Sequence, residues 1–210
     1  TMDIAKYIDY TLLKATATPA DIEKLCKEAL EYGFYSVCVN SGYVPLAAQL
    51  LKDTDTKVCT VVGFPLGAMS TQAKLYETSV ALTQGAQEID MVLNVGLFLS
   101  GNVAKVLEEI ALLKQETGDR VLKVIIETCY LNDEQKRLAS QVCVDAGADF
   151  VKTSTGFGTG GATLADVQLI KEVVGDRAKI KASGGIRDKQ TALQYISLGV
   201  SRIGASAILV

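Results

Sequence analysis

Residues 147–152, with the sequence GADFVK, join a helix-ending glycine to a short apolar strand, and this stretch decides the fold. Glycine suits the end of a helix because it adopts the left-handed conformation there without steric cost. The same arrangement recurs at Gly33, Gly85 and Gly199, before the runs SVCV, EIDMV and SRIG. This weak internal repeat predicts a chain in which helices and strands alternate.

Short β-branched runs between segments of helical periodicity predict eight strands. Alternation with helices indicates parallel strands joined by right-handed crossovers, and eight such units close a barrel. The predicted fold class is therefore α/β, a (β/α)8 TIM barrel, with residues 1–210 forming a single domain. An open doubly wound sheet is the alternative. The predicted strands are IDYTLL at 8, SVCV at 36, KVCTVV at 57, EIDMVL at 88, VLKVII at 121, DFVK at 149, KIKA at 179 and SRIG at 201.

The glycine repeat also places side chains inside the predicted barrel. In a closed barrel, alternate strands supply the side chains of one interior layer. The fifth residue after each repeat glycine is Cys38, Asp90, Lys152 or Gly204, so we predict that these four residues share a layer. Such layers are filled mostly by Val, Ile and Leu. An aspartate and a lysine there need a chemical explanation.

Composition narrows the chemistry that the chain can perform. It contains no histidine, which excludes a Ser/His/Asp triad, a Cys/His pair and the imidazole ligands typical of catalytic zinc. The formal charge is only −3 without a basic stripe, so we expect no nucleic-acid partner. No apolar run approaches the roughly 20 residues that span a bilayer, and we expect a cytoplasmic protein without membrane contact. The five widely spaced cysteines are typical of buried reduced thiols.

Lys152 lies at the carboxyl end of its predicted strand, where the active sites of barrel enzymes gather. An amine attacks a carbonyl only when it is uncharged, and an ordinary lysine, with a pKa of about 10.4, is neutral in about one molecule in 2,500 at pH 7. A second ammonium nearby favours the neutral form. Lys181 on the seventh strand is the candidate for that charge, whereas Lys179 lies nearer the closed end. The alternative is a Lys152 whose charged end reaches solvent.

A neutral Lys152 would form a Schiff base with a carbonyl substrate, and the imine would then act as an electron sink. Protons must be moved in such a reaction. Asp90 is the carboxylate in position, acting through a water or a substrate hydroxyl, with Asp9 at the end of the first strand as a candidate relay. The alternatives are that Asp90 only balances the lysine charges and that Asp9 caps a helix or forms a turn.

Glycine-rich stretches follow each of the last three predicted strands. Small residues let backbone amides approach an anion, and barrel enzymes bind phosphate on the loops after strands seven and eight. Each glycine alone would be explained by a turn, but their combination at these loops favours phosphate. The predicted phosphate-binding residues are Gly184, Gly185, Gly204 and Ser206, with Arg187 as a candidate for added charge.

The first of these stretches, GFGTGG at 156–161, also matches the GxGxxG pattern of dinucleotide-binding folds. That motif requires an acidic residue at the end of the next strand. The next strand here ends in KASG at 181–184, without one. Dinucleotide binding is therefore the weaker interpretation.

These motifs resemble those of the 2-deoxyribose-5-phosphate aldolase family, which are class I aldolases, along nearly the whole chain. Among the matching segments are VCTVVGFPLGA at 58, GAQEIDMVLN at 85, AGADFVKTSTGF at 146, KASGGIR at 181 and RIGAS at 202. The resemblance implies that Lys152 forms the Schiff base, that Lys181 favours its neutral form and that Asp90 shuttles the proton. It also implies substrate and phosphate contacts from Thr155, Gly156, Gly184, Gly185, Gly204 and Ser206.

The chain departs from that family pattern in a few places. Many relatives have histidine where this chain has Tyr10, next to Asp9. Six residues follow Gly204, which leaves little room for a helix after the eighth strand. Thr1 precedes Met2, and we interpret it as a remnant of processing.

The resemblance implies reversible cleavage of 2-deoxy-D-ribose 5-phosphate to D-glyceraldehyde 3-phosphate and acetaldehyde, without a metal or an organic cofactor. The expected partners are these small molecules and, in a homodimer, a second copy of the chain. One alternative is another Schiff-base barrel, such as a transaldolase-like enzyme with a different donor. A non-catalytic phosphate-binding barrel and a metal-dependent aldolase are two more, although the chain has no histidine to hold a metal ion.

Overall fold

A computed structural model describes residues 3–209, so Thr1, Met2 and Val210 lie outside the described part of the chain. All eight predicted strands are present. The strands are β1 Ile8–Leu12, β2 Ser36–Val39, β3 Lys57–Val62, β4 Glu88–Val92, β5 Val121–Ile125, β6 Phe150–Lys152, β7 Lys179–Ala182 and β8 Arg202–Ala205. The helices are α1 Pro19–Tyr32, α2 Val44–Leu50, α3 Thr71–Thr83, α4 Val95–Leu99, α5 Val103–Thr117, α6 Asp133–Asp145, α7 Leu164–Val174 and α8 Lys189–Ser197.

The eight strands form a closed parallel barrel. Each strand pairs with the next in chain order, and β8 pairs with β1, which closes the ring. The TIM-barrel prediction is therefore confirmed, and the open doubly wound sheet is wrong. The single domain over residues 1–210 stays a prediction, because its ends fall outside the described residues.

Local sequence signals set the helix limits. In α1, Thr18 and Asp21 form a reciprocal capping box, with Pro19 in the first turn. The same helix ends at Gly33, in the left-handed conformation with φ 69°. Gly85, Gly147 and Gly199 also have positive φ and precede β4, β6 and β8. The glycine repeat thus marks the point where the chain turns from a helix into an even-numbered strand.

The apolar core lies between the outer faces of the strands and the helices that surround them. Most strand residues that face outward are aliphatic and buried against the inner faces of the helices. Examples are Val37, Ile89, Val124, Val151 and Ile180. Because this shell supplies the apolar burial, the barrel interior can hold polar side chains.

Three layers of four residues fill the barrel interior. The upper layer, nearest the carboxyl ends of the strands, consists of Cys38, Asp90, Lys152 and Gly204. The middle layer consists of Asp9, Cys59, Lys123 and Lys181, and the lower layer of Ser36, Glu88, Phe150 and Arg202. Each middle-layer residue pairs with one upper and one lower residue, as Asp9 does with Gly204 and Ser36. The upper layer is the one that the glycine repeat predicts.

Within residues 3–209, none of the helices combines the length and the apolar character that crossing a bilayer requires. The described chain after β8 contains no helix either, in agreement with the short segment that follows Gly204.

Candidate active site

Lys152, Lys181 and Asp90 meet at the mouth of the barrel. The amino nitrogens of both lysines lie 2.9 Å from the same oxygen, Oδ2 of Asp90, so they are less than twice that distance apart. Direct pairing of Lys152 with Lys181 between β6 and β7 brings them together. Neither side chain is aimed at bulk solvent, since Lys152 is 3% exposed and Lys181 is fully buried. The predicted proximity of the three groups is confirmed.

Asp9 lies deeper than the sequence suggested. It is the second residue of β1 and not its last, because the strand begins at Ile8 and continues to Leu12. Its carboxylate lies in the middle layer, 2.7 Å from Lys181 and 3.2 Å from Lys123, and it accepts a hydrogen bond from Ser36. It caps no helix and forms no turn. Its place at the end of the strand was a wrong prediction, but its proximity to the lysines agrees with a relay.

Lys152, Lys181, Asp90 and Asp9 belong to a buried charged cluster. Its three other members are Lys123, Glu88 and Arg202, which lie deeper in the barrel than Asp90 and which the sequence did not indicate. The Lys123 amino group lies 3.0 Å from Asp90 Oδ1 and 2.7 Å from Glu88 Oε1. Arg202 donates two hydrogen bonds to Glu88 and one to Asp9. Lys123 was detectable, because it interrupts the apolar run VLKVI in β5. Glu88 and Arg202 begin their strands, where an exposed position is the usual expectation.

Neighbouring charges fix the protonation states of the buried groups. Burial by itself lowers the pKa of Lys181, but the carboxylates of Asp9 and Asp90 outweigh burial and raise it above the ordinary value of 10.5. Burial likewise favours neutral Asp90, but Lys123, Lys152 and Lys181 hold its pKa well below 3.8. Lys181 is therefore a cation and Asp90 an anion at neutral pH.

The cluster contains more cations than anions. Its members approach one another within hydrogen-bond distance and are almost completely buried. Loss of one proton from the cluster would leave equal numbers of positive and negative charges. The cations are Lys123, Lys152, Lys181 and Arg202, and the anions are Asp9, Glu88 and Asp90.

A cavity of about 410 Å³ opens above Lys152 at the carboxyl ends of the strands. It is lined by all the residues that the sequence assigned to substrate and phosphate, and Arg187 also reaches it. Lys152 lies at its floor, while Asp90, Lys181 and Asp9 lie beneath. The predicted binding residues on its wall are Thr155, Gly156, Gly184, Gly185, Gly204 and Ser206.

The loops after β6 and β7 are joined at this cavity. Thr153 donates through its hydroxyl to the carbonyl oxygen of Ser183 and accepts from the Ser183 amide. Ser183 in turn donates to the carbonyl oxygen of Ser154 at 2.6 Å. The backbones approach so closely that a Cβ atom on Gly161 would lie 2.3 Å from the carbonyl oxygen of Gly184. Both loops therefore form one rigid wall.

Position 204 requires glycine because a larger side chain would clash with its neighbours. A Cβ atom there would lie 2.9 Å from the Ser183 Cβ and 3.3 Å from the Lys181 Cε. Its φ is not in the left-handed region, so space, not backbone conformation, demands glycine. Gly204 thus leaves room for the Lys181 side chain in the barrel.

Tyr10 and Lys179, which the sequence analysis considered, lie away from the cavity. The Tyr10 hydroxyl donates to Glu28 on α1, and burial and this hydrogen bond raise the pKa of Tyr10 to about 12. Its ring packs on Phe34, on the opposite side of β1 from Asp9. Lys179 is exposed at the start of β7, below the cluster, as the sequence suggested.

Within residues 3–209, groups of three potential metal ligands with closely spaced ligand atoms occur only at the charged cluster. Cys38, Cys59 and Asp90 have ligand atoms within 4.8 Å of one another, and so do Asp9, Cys59 and Glu88. The carboxylates of both groups already contact the Lys123 ammonium. That ammonium supplies the positive charge a metal ion would bring, so the donor set fits a cation poorly.

Comparison with known proteins identifies the family. Residues 4–209 match the family described as DeoC/LacD family aldolase. The deoxyribose-phosphate aldolase of Carboxydothermus hydrogenoformans is 58% identical over 208 residues, covering 97% of this chain and 91% of that protein. The enzyme of the same name from Coprothermobacter proteolyticus is 56% identical over 206 residues, covering 98% and 94%.

Solved structures agree with this relationship. One described as QR15, an aldolase, superposes with a TM-score of 0.95 at 46% identity and covers 98% of this chain and 92% of its own. The deoxyribose phosphate aldolase from Aeropyrum pernix, described as a unique tetrameric structure, gives a TM-score of 0.88 at 35% identity, covering 97% and 86%. The resemblance seen in the motifs is confirmed, and the chain belongs to the DeoC/LacD family of aldolases.

Proposed function

We propose that this aldolase cleaves 2-deoxy-D-ribose 5-phosphate reversibly to D-glyceraldehyde 3-phosphate and acetaldehyde, through a Schiff base on Lys152. Aldol chemistry follows from the family, whereas the substrate and the residue roles are our proposal. The observation that carries it is a lysine at the floor of a cavity, sharing one carboxylate oxygen with a second lysine. The 58% identity to a deoxyribose-phosphate aldolase supports the choice of substrate.

The charge count of the cluster supports a nucleophilic amine at Lys152. A neutral amine is required for attack on a carbonyl. Lys152 contacts a single carboxylate, whereas Lys181 contacts Asp9 and Asp90 and Lys123 contacts three carboxylates. Lys152 is therefore the lysine of the cluster with the fewest carboxylate contacts, and it is the one that faces the cavity.

In the direction of cleavage, the Lys152 amine attacks C1 of the open-chain sugar phosphate, and loss of water gives the protonated imine. Asp90 then takes the proton of the C3 hydroxyl, directly or through a water. The C2–C3 bond breaks, its electron pair moves to the imine nitrogen, and D-glyceraldehyde 3-phosphate leaves. Protonation of the enamine at C2 and hydrolysis of the imine release acetaldehyde and the free lysine.

Asp9 and Lys181 complete this scheme as a relay. Lys181 bridges the two carboxylates, at 2.7 Å from Asp9 and 2.9 Å from Asp90. When Asp90 accepts a proton, its attraction for Lys181 weakens, and the contact with Asp9 keeps that ammonium in place. The phosphate lies in the same scheme against the amides of Gly184 and Gly185, with the Gly204 to Ser206 segment opposite.

Borohydride trapping tests this function. Incubation with acetaldehyde and borohydride should give a stable adduct that peptide mapping places on Lys152. Lys152→Ala should lose the adduct and lower kcat by at least about 1,000-fold. An adduct on another lysine, or full activity of the alanine variant, would overturn the proposal.

The choice of donor separates this function from a transaldolase-like one. Acetaldehyde should be trapped and dihydroxyacetone should not. Resistance to a chelator would contradict a metal-dependent aldolase, and turnover would contradict a barrel that only binds phosphate. A homodimer stays a prediction, which light scattering can check. The tetramer is described for the Aeropyrum pernix protein.

A further inference from the structure

Glu127 is a buried carboxylate that the scheme above leaves without a role. It follows β5 in the left-handed conformation, with φ 53°, and is 3% exposed. Its Oε1 accepts from the Thr155 amide at 3.0 Å, and its Oε2 accepts from the Thr155 hydroxyl at 2.6 Å. The Glu127 carboxylate therefore accepts hydrogen bonds from both donors of Thr155, a residue on the cavity wall.

These contacts determine what Thr155 can offer to a ligand. A threonine hydroxyl has one proton to donate and two lone pairs to accept with. The proton points to Glu127, and one lone pair accepts from the Phe157 amide at 3.0 Å. One lone pair is left. The Thr155 amide is also committed to Glu127, so the hydroxyl can accept one more hydrogen bond and the residue has no proton left to donate.

A phosphate group does not match such a residue. At neutral pH its oxygens are almost entirely hydrogen-bond acceptors, since the second pKa of a phosphate ester is about 6. An acceptor-only threonine would repel them. A hydroxyl group of the substrate is the matching partner, because it carries a proton to donate.

We propose that Glu127 is a specificity-determining positioning residue, which holds Thr155 as an acceptor that reads the substrate hydroxyl next to the aldehyde carbon of D-glyceraldehyde 3-phosphate. This inference rests on the function proposed above and adds one contact to it. Thr155 contacts the hydroxyl, and the phosphate is left to the glycine amides. Glu127 acts through Thr155 and touches no reacting atom.

The surrounding backbone shows why this carboxylate is held so firmly. The Thr128 amide donates to the Thr153 carbonyl oxygen at 3.0 Å, which continues the pairing of β5 with β6 beyond the strands. A Cβ atom on Gly158 would lie 3.3 Å from the Glu127 carboxyl carbon and 2.8 Å from the Cys129 sulfur. The loop after β6 is thus packed directly on the segment that carries Glu127.

Two acceptor aldehydes test the inference in the synthetic direction with acetaldehyde as donor. One is D-glyceraldehyde 3-phosphate, and the other is 3-oxopropyl phosphate, which lacks the hydroxyl. We expect the wild type to prefer the hydroxylated aldehyde in kcat/KM. Thr155→Val and Glu127→Gln should each reduce that preference by about tenfold, the value of one hydrogen bond, mainly through KM. Thr155→Ser should retain it.

A double variant distinguishes positioning from a general structural role. If Glu127 acts through Thr155, the pair Glu127→Gln with Thr155→Val should lose no more preference than Thr155→Val alone. The matched control is Glu116→Gln, which alters an exposed glutamate on α5 and should keep the wild-type preference. Melting temperatures establish that the variants are folded. Should Glu127→Gln fail to fold, Thr155→Val carries the same comparison.

Contacts of Thr155 with phosphate would give a different result. Both variants would then lower kcat/KM for the two aldehydes by equal factors. The preference would stay constant, and the inference would be overturned. Trapping with acetaldehyde involves no acceptor hydroxyl and should be equal in the wild type and the variants. Normal trapping with a constant preference contradicts this inference alone, whereas absent trapping in the wild type overturns the proposed function as well.

Discussion

At the scale of single residues, Lys181 differs from Lys152 in the number of carboxylates that it contacts. Lys181 is bound by two carboxylates, and its pKa is raised above the ordinary value, because Asp9 and Asp90 outweigh its burial. It therefore stays charged through a catalytic cycle. A permanent charge next to Lys152 is what the proposed chemistry requires.

Lys181→Met should lower activity at pH 7 without changing the stereochemistry of the product. The change removes the positive charge that shares the Asp90 carboxylate with Lys152, and the proposed chemistry requires that charge. We expect kcat/KM at pH 7 to fall by at least about tenfold, and the rise of kcat/KM with pH to move to higher pH by about one unit or more.

The control for this change is Lys179→Met, on the same strand but exposed. Its pH profile should match that of the wild type. Equal profiles for Lys181→Met and Lys179→Met would contradict the electrostatic role of Lys181.

The sequence revealed the upper-layer residues of the site and, from the layer below, Lys181 and Asp9, but not Lys123. Asp90 and Lys152 were found because the glycine repeat counts along even-numbered strands. Lys123 and Cys59 lie on odd-numbered strands without a matching repeat, so their layer was not reconstructed. The hydrogen bonds from Thr155 to Glu127 depend on a positive φ at Glu127. A positive φ at a residue other than glycine cannot be predicted from the residue type.

At the scale of elements, the loops after β6 and β7 act as a unit. They are joined by the hydrogen bonds of Thr153, Ser154 and Ser183 and by the close approach of Gly161 to Gly184. The strands themselves were predictable from β-branched runs, and their limits agree within two residues. The docking of one loop on another was not predictable, since it depends on contacts between residues distant in sequence.

Gly184→Ala should separate the two loops. Gly184 has φ 87°, and a Cβ atom there would lie 2.9 Å from the Gly161 Cα. We expect KM for the sugar phosphate to rise by about tenfold or more, while borohydride trapping with acetaldehyde continues, because Lys152 is unaffected.

Gly101→Ala is the matched control for backbone strain. Gly101 has φ 88°, but no atom lies within 4 Å of the position its Cβ would take. The variant should lose stability by about 1 kcal/mol through the positive φ, with an unchanged KM. An unchanged KM in Gly184→Ala would show that the loop contact does not shape the site.

At the scale of the whole molecule, charge and apolar surface occupy separate regions. Aliphatic side chains fill the shell between the strands and the helices, while the charged cluster fills the centre of the barrel. Burying ions is costly unless each is paired. The stability of the fold is therefore linked to the ionisation of the cluster.

Acid should destabilise the protein through this cluster. The pKa values of Asp9 and Asp90 are lowered from 3.8, because the surrounding lysines, and Arg202 at Asp9, outweigh burial. A lowered folded-state pKa contributes stability that is present above pH 4 and is lost as pH falls below it, since the unfolded chain binds protons first. Urea unfolding between pH 3.5 and about pH 2 should show a loss of about 1.4 kcal/mol per pH unit for each such carboxylate.

Asp9→Asn removes one of these carboxylates, so its unfolding free energy should fall less steeply with acid than that of the wild type. Asp176→Asn, at a fully exposed position, should keep the wild-type slope. Equal slopes for the two variants would contradict the linkage. Lys123, Lys181 and Arg202 have raised pKa values, so their contribution is present at neutral pH and is lost only in strong alkali.

Phe150 and the Arg202–Glu88 pair seal the bottom of the barrel, and Arg202 stacks on the Tyr35 ring with 3.5 Å between its guanidinium carbon and the ring centroid. The carboxylates of Asp9 and Asp90 above this floor have no exposed surface. Exchange with bulk solvent must then proceed through the mouth, which the bound sugar phosphate would obstruct. A complex formed in ordinary water and then diluted into heavy water should therefore release its first acetaldehyde with protium at the transferred position, whereas enzyme and substrate equilibrated in heavy water beforehand should place one deuterium in the methyl group.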